Sequence, residues 1–349
     1  MSTTDVTEDA ALPDWPMFGL SDDVRPELAA ALEAGESCAL VTLYGVVGSS
    51  PRPAGAQMLV GPQRLSGFLS GGCVEGDIAV HARACLSDNM PRLLIYGAGS
   101  PYPDIRLLCG GRIDILVEPI RPEDPAAIRL IELWRERRPA VWLTDGQHHA
   151  CVAEGETGAK LPAPLAAALA ACAGGHDCAA TNEPFAVARR FGPTLRMVVV
   201  GADPTAIALA DLAVHMGFET WLIRPKGPDA APPVKGVIYR RSAPEQALAE
   251  IGPDPWTYVA VATHDLEIDE AALAAALPSR AAYVGVLGAR RRVPERLAGL
   301  RARGVPEDAI ARLKAPIGLD LGGAKSPYEI AVAIMAEVTA LSRKSRAGS

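Results

Sequence analysis

From residue 195 onward the chain alternates short apolar strands with helices, and this alternation limits its fold more than any other feature. "LRMVVVGADPTAIALADLAVHMGF" reads as a strand, a tight turn and a helix. "ETWLIRP" and "VKGVIYR" follow as further strands, and "PWTYVAVAT" and "AAYVGVLGA" as two more, separated by the helix "IDEAALAAAL". The last helix, "SPYEIAVAIMAEVTALSR", opens with Ser326 and Pro327 and carries Glu329 three residues after the serine, a reciprocal cap. Strands that alternate with helices in this way form a parallel, doubly wound sheet.

Such a sheet often binds a dinucleotide at its first turn, where G-x-G-x-x-G/A leaves bare backbone against the pyrophosphate. Here the turn reads Gly201-Ala202-Asp203-Pro204-Thr205-Ala206, so a side chain with a negative charge stands at the second glycine. Asp followed by Pro is a helix start, with Asp203 as the cap and Pro204 in the first turn. Arg224 stands where the next strand should end in a ribose-binding acid. Both departures argue against NAD(P). Two later turns occupy the ligand-binding ends of strands. Thr263-His264-Asp265 is an acid–base pair or a loop cap, and Arg290, Arg291 and Arg292 open a helix where a bound anion would offset their charge.

The first half is irregular. Residues 1–23 read as a flexible lead-in, and residues 24–172 mix helices such as "VRPELAAALEAG" and "DPAAIRLIELWRERR" with short strands in an α+β pattern. The Ala/Gly-rich stretch around "CAGGHDC" suggests a linker and connecting strand over 173–194, ahead of the second domain at 195–349. The fold class expected is therefore α/β, an N-terminal α+β domain followed by a Rossmann-like domain. A net charge of −7 argues against a nucleic-acid binder, and no apolar run reaches the length of a membrane span. The N-terminus lacks the basic start and apolar stretch of a secretion signal. Seven scattered cysteines with no C-x-x-C pair point to neither a disulfide framework nor a structural zinc site, and fit the cytoplasm.

One cysteine has a suggestive setting. In "SGFLSGGCVEGDIAVHARACL", Val74, Ile78, Ala82, Cys85 and Leu86 recur at helical spacing, which places Cys73 at the first turn of a helix behind Gly71 and Gly72. The helix end favours a thiolate there, and Glu75 and Asp77 oppose it. A free cysteine is equally a small buried hydrophobe, so spacing alone leaves both readings open.

"GSSPRPAGAQMLV", "GFLSGGCVEGDIA", "DIRLLCGGRIDILVE", "THDLEIDEAAL", "AAYVGVLGARRR" and "APIGLDLGGAKSPYEIAVAI" together resemble the XdhC/CoxI proteins, which mature xanthine dehydrogenase-type molybdenum enzymes. The resemblance implies a chaperone rather than a metabolic enzyme. Such a protein binds molybdenum cofactor (molybdopterin, or its cytosine dinucleotide form), helps exchange an oxo for a sulfido ligand, and delivers the cofactor to an apo molybdenum hydroxylase. It implies a cysteine desulfurase and cofactor-biosynthesis enzymes as further partners, and a homodimer. Cys73 becomes a molybdenum or sulfur ligand, with Gly71, Gly72 and Glu75 around it and Cys109 of "CGG" in the same pocket. Arg52 and Gln57 of "SPRPAGAQ" become donors to pterin or phosphate, and Arg290 meets the phosphate. An NAD(P)-dependent oxidoreductase and a non-catalytic assembly scaffold are the alternatives.

Overall fold

The computed structural model describes residues 12–101, 107, 110–156, 160–173, 176–323 and 325–347. The chain divides into two units, Met1–Pro193 and Thr194–Ser349.

The first unit is organised by a long buried strand. It comprises α1 (Arg25–Glu33), β1 (Cys38–Val47), β2 (Gln57–Val60), β3 (Leu65–Gly67), α2 (Glu75–Asp88), β4 (Arg92–Tyr96), β5 (Arg112–Ile120), α3 (Pro125–Arg135), β6 (Ala140–Thr144), β7 (His149–Ala153), α4 (Ala163–Cys172), β8 (Cys178–Asn182) and β9 (Phe185–Phe191). Along β1 successive side chains enter different cores. Cys38 and Leu40 pack with Leu28 of α1, Leu130 of α3 and Trp142, while Ala39, Val41 and Leu43 pack with Ile78, Ala82 and Cys85 of α2. A period of two with both faces covered is what a central strand requires. The five strands run antiparallel in the order β3-β2-β1-β5-β4.

A second antiparallel sheet, β7-β6-β9-β8, includes the region expected to be a linker. The stretch 173–194 instead supplies β8 and β9, and β9 pairs with β6 from Ala140↔Phe191 to Thr144↔Val187. Small Ala186 and Ala188 sit beneath Leu165 and Ala168 of α4, so the alanines that suggested a linker are core residues chosen for close packing. The lead-in is likewise not free along its described part. Leu12 and Phe18 pack against the α2 core, around a 3-10 turn at Met17–Leu20.

The second unit comprises β10 (Arg196–Gly201), α5 (Pro204–His215), β11 (Glu219–Ile223), β12 (Val237–Arg240), α6 (Pro244–Ile251), β13 (Thr257–Ala262), α7 (Leu266–Ala276), β14 (Tyr283–Val286), a 3-10 turn at Arg290–Arg292, α8 (Val293–Ala302), α9 (Glu307–Ile310), β15 (Leu313–Lys314) and α10 (Pro327–Ala347). Its six strands are parallel in the order β12-β11-β10-β13-β14-β15. Counted within the unit this is 3-2-1-4-5-6, the order of dinucleotide-binding sheets, with its switch point between β10 and β13. Val198 and Val200 face one core, Met197 and Val199 the other. The reciprocal cap of α10 forms as expected, with Ser326 N–H donating to Glu329 at 2.9 Å and Glu329 N–H donating to the Ser326 hydroxyl at 3.2 Å.

Candidate functional site

Strand register brings several expected site residues to one end of the five-stranded sheet. β1 ends where β5 begins, Val47 opposite Arg112, and β4 ends with Tyr96 opposite Ile113. β2 begins where β3 ends, Met58 opposite Gly67. The segments 48–56 and 68–74, bearing Arg52 and Cys73, therefore leave from the same end. Cys109 lies outside the described residues.

The 68–74 loop is built around its own carboxylate. Glu75, the first residue of α2 and 1% exposed, reaches back into the loop. Its Oε1 accepts from the N–H groups of Leu69 (2.9 Å), Ser70 (2.6 Å) and Gly71 (3.2 Å). Its Oε2 accepts from the Ser70 hydroxyl (2.6 Å), Gly72 N–H (2.8 Å) and Val74 N–H (3.3 Å). The Ser70 oxygen in turn accepts from Cys73 N–H at 3.0 Å and Val74 N–H at 3.2 Å. Burial works to raise the Glu75 pKa, but the Ser70 hydroxyl and the backbone N–H groups outweigh it and hold the carboxyl below its ordinary value. The loop that looked ready for a phosphate thus already holds an anion.

Its outer side is open. Gly71 and Gly72 adopt φ of +85° and +110°, and a side chain on either would meet nothing within 4 Å. Glycine is needed there to turn the chain back onto Glu75, and the turn leaves backbone bare. Cys73 precedes the helix cap, Val74, rather than lying in the first turn, and is exposed. The other five described cysteines contrast with it. Burial pushes the thiols of Cys38 and Cys151 to about 12 and those of Cys85 and Cys178 to about 11, and raises that of Cys172.

Arg52 lies over the Phe68 ring, 4.5 Å from its centroid, and its Nη2 pairs with Asp22 at 2.8 Å. Its Nε is buried with no hydrogen-bond partner among the described residues. Gln57 is placed differently from the expectation. It is buried in β2 and its amide donates to the Thr42 hydroxyl at 3.0 Å, holding β2 to β1. Arg189 was not anticipated at all. From β9 its Nε donates to the Gly55 carbonyl at 2.7 Å, bracing the 48–56 loop from the second sheet.

In the second unit Asp203 caps α5, accepting from Ala206 N–H at 2.8 Å. Gly201 has no room for a side chain, since a Cβ there would lie 2.5 Å from the Ala262 carbonyl oxygen. His264 faces Asp203 across the switch point, Nε2 to Oδ2 at 3.3 Å, while its neighbour Asp265 caps α7. Arg290, Arg291 and Arg292 form an exposed 3-10 turn before α8. No side-chain partner for them is found among the described residues.

Residues 197–338 match the XdhC Rossmann domain and residues 31–97 the XdhC and CoxI family. A molybdenum cofactor insertion chaperone, PaoD, of Escherichia coli (strain K12) is 30% identical over 329 residues, 92% of this chain and 90% of that one. The chain belongs to the XdhC and CoxI family. A second XdhC/CoxI-like relative, a probable xanthine dehydrogenase subunit of Bacillus subtilis (strain 168), is 29% identical over 89% of this chain and 95% of its own. The crystal structure of a xanthine dehydrogenase from Bacillus halodurans shares the fold with a TM-score of 0.69 at 23% identity, covering 92% of this chain and 96% of that one. Among the described residues of this XdhC/CoxI member, no helix is long and apolar enough to cross a membrane.

Proposed function

We propose that this chain binds molybdenum cofactor as cargo at the 68–74 loop and inserts it into an apo molybdenum hydroxylase of the xanthine dehydrogenase type. The observation that carries this reading is an exposed thiol, Cys73, on a loop held rigid by a buried carboxylate, with two bare glycines beside it. The residues fit such a cargo. A thiolate is a soft donor suited to molybdenum or to a sulfur in transit. The glycine backbone permits close approach, and Arg52 has a donor to spare for an anionic group. Glu75 serves from within, because its carboxylate already takes the N–H groups that a phosphate would need. Gln57 serves the same way, by fixing β2 against β1. The similarity to a named insertion chaperone over nine-tenths of both chains supports delivery as the outcome.

The finer expectations belong to the same proposal: shielding of the cofactor, its sulfuration with a cysteine desulfurase, the dinucleotide form of the pterin, contact of Arg290 with a phosphate, and a homodimer. NAD(P) is not part of it, since Asp203 stands where the pyrophosphate would lie. The test is transfer. Protein carrying pterin, mixed with apo molybdenum hydroxylase, should lose its pterin as hydroxylase activity appears, and Cys73→Ser should support little of either. No pterin on the purified protein, or equal transfer by Cys73→Ser, would overturn the reading.

A further inference from the structure

The residue that occupies Arg52 in this structure is an acid from the N-terminal strap, and its attachment is slight. Between Leu12 and Asp23 the strap is held by Leu12 and Phe18 against the α2 core, by Gly19 beside the Phe68 ring, and by Asp22 on Arg52. The 3-10 turn Met17–Leu20 buries no residue, and Trp15, Met17 and Leu20 are 79%, 67% and 74% exposed. Asp22 itself is 67% exposed while its partner Arg52 is 20% exposed, and a pair that open to water is weak. Asp22 also engages Arg52 only through Nη2, leaving Nε covered and unpaired. A guanidinium offers a planar fork that binds a phosphate through two nitrogens at once, so a phosphate satisfies what one exposed carboxylate does not.

We propose that Asp22 is an internal stand-in for the anionic end of the ligand: a phosphate group displaces it from Arg52, and the strap is released as the ligand binds. The inference rests on placing the cargo at this end of the sheet, and it deepens that reading by assigning the phosphate end to Arg52 and giving the strap a ligand-dependent position. Exchange of one anion for another on the same cation requires no proton, electron or bond to be transferred. Release would also free the three exposed apolar side chains, Trp15, Met17 and Leu20, from the surface of the first unit.

Inorganic pyrophosphate is the probe, with calorimetry and chymotrypsin cleavage inside 12–23 as readouts. Asp22→Asn should bind pyrophosphate roughly two- to five-fold more tightly than the parent, the range set by losing a weak competing ion pair. Arg52→Met should lose the binding, and the double variant should behave as Arg52→Met alone. Cleavage of the parent should accelerate with pyrophosphate, and that of Asp22→Asn should be fast without it. Weaker or unchanged binding by Asp22→Asn, or a strap whose cleavage ignores pyrophosphate, would overturn the exchange, because a purely structural Asp22 predicts loss rather than gain. Pterin retention reports separately on the cargo. Its absence beside an intact pyrophosphate response would overturn the cargo assignment and support the exchange, whereas intact retention without that response would overturn the exchange alone.

Discussion

Each unit starts a helix behind a glycine-bearing turn, and each fills that helix end with its own carboxylate, yet the two fillings differ in kind. Asp203 stands at the cap position of α5 and satisfies one N–H group, that of Ala206. Glu75 stands inside α2 and gathers six donors from residues 69–74. The short side chain closes its turn and pairs outward with His264. The longer one folds a whole loop around itself and turns the other side of that loop, with Cys73, toward solvent. A capped helix end is finished structure, whereas a loop wrapped on a buried anion becomes a platform. The chemistry is therefore expected in the irregular unit and not in the one whose strand order resembles nucleotide enzymes.

Removing the two carboxylates should separate these roles most widely. Glu75→Ala leaves six donors without their acceptor and should destabilise the first unit by about 2–4 kcal/mol, read from urea unfolding. The same change should alter the labelling rate of Cys73 by a disulfide reagent, since its backbone N–H leans on Ser70. Asp203→Ala should cost about 1 kcal/mol, the usual value of a helix cap, and leave Cys73 labelling unchanged. Equal costs at the two sites would remove the distinction.

A second contrast lies within the first unit, between buried charges that respond at opposite ends of the pH scale. The folded pKa of Glu75 lies below its unfolded value, so its contribution is complete above the ordinary carboxylate range and is lost as pH falls through the folded value. His149 behaves in reverse. Burial favours its neutral form, but Asp124 at 2.5 Å and Glu118 at 3.3 Å outweigh this and raise it from 6.5 to about 10. Its contribution is complete below about 6.5 and is lost as pH rises through about 10. Unfolding midpoints should show Glu75→Gln approaching the parent in acid, and His149→Gln approaching it in alkali. A stability gap that is flat with pH in either variant would contradict the assignment of that charge.

The smallest expected effect concerns the second unit alone. Asp203→Gly restores bare backbone at the turn and should cost only a few tenths of a kcal/mol. It should raise the affinity for NADH above that of the parent, measured by calorimetry. A parent that already binds NADH at low micromolar concentration would show that Asp203 does not block the site.

How much of this was legible in the sequence follows the range of the interactions. The caps at Asp203 and Ser326 and the buried face of α2 depend on residues within a few positions, and they appear where expected. The inward role of Glu75 was hidden because it needs two consecutive positive φ angles to bring residues 69–72 back to it. Asp22 and Arg52 are 30 positions apart, and Arg189 and Gly55 are 134 apart, so no local pattern announces either contact. β8 and β9 were missed because their small residues match a linker in composition while serving a tight interface with α4.

Pterin retention decides whether the cargo is held at the platform or at the capped turn. Parent, Cys73→Ser and Asp203→Ala would be purified in parallel from cells that make molybdenum cofactor, and pterin fluorescence would be measured after oxidation. Cys73→Ser should retain at most about a tenth of the parental pterin, the loss of one strong donor contact, and Asp203→Ala should retain all of it. Full retention by Cys73→Ser, or a loss confined to Asp203→Ala, would place the cargo away from the Cys73 loop.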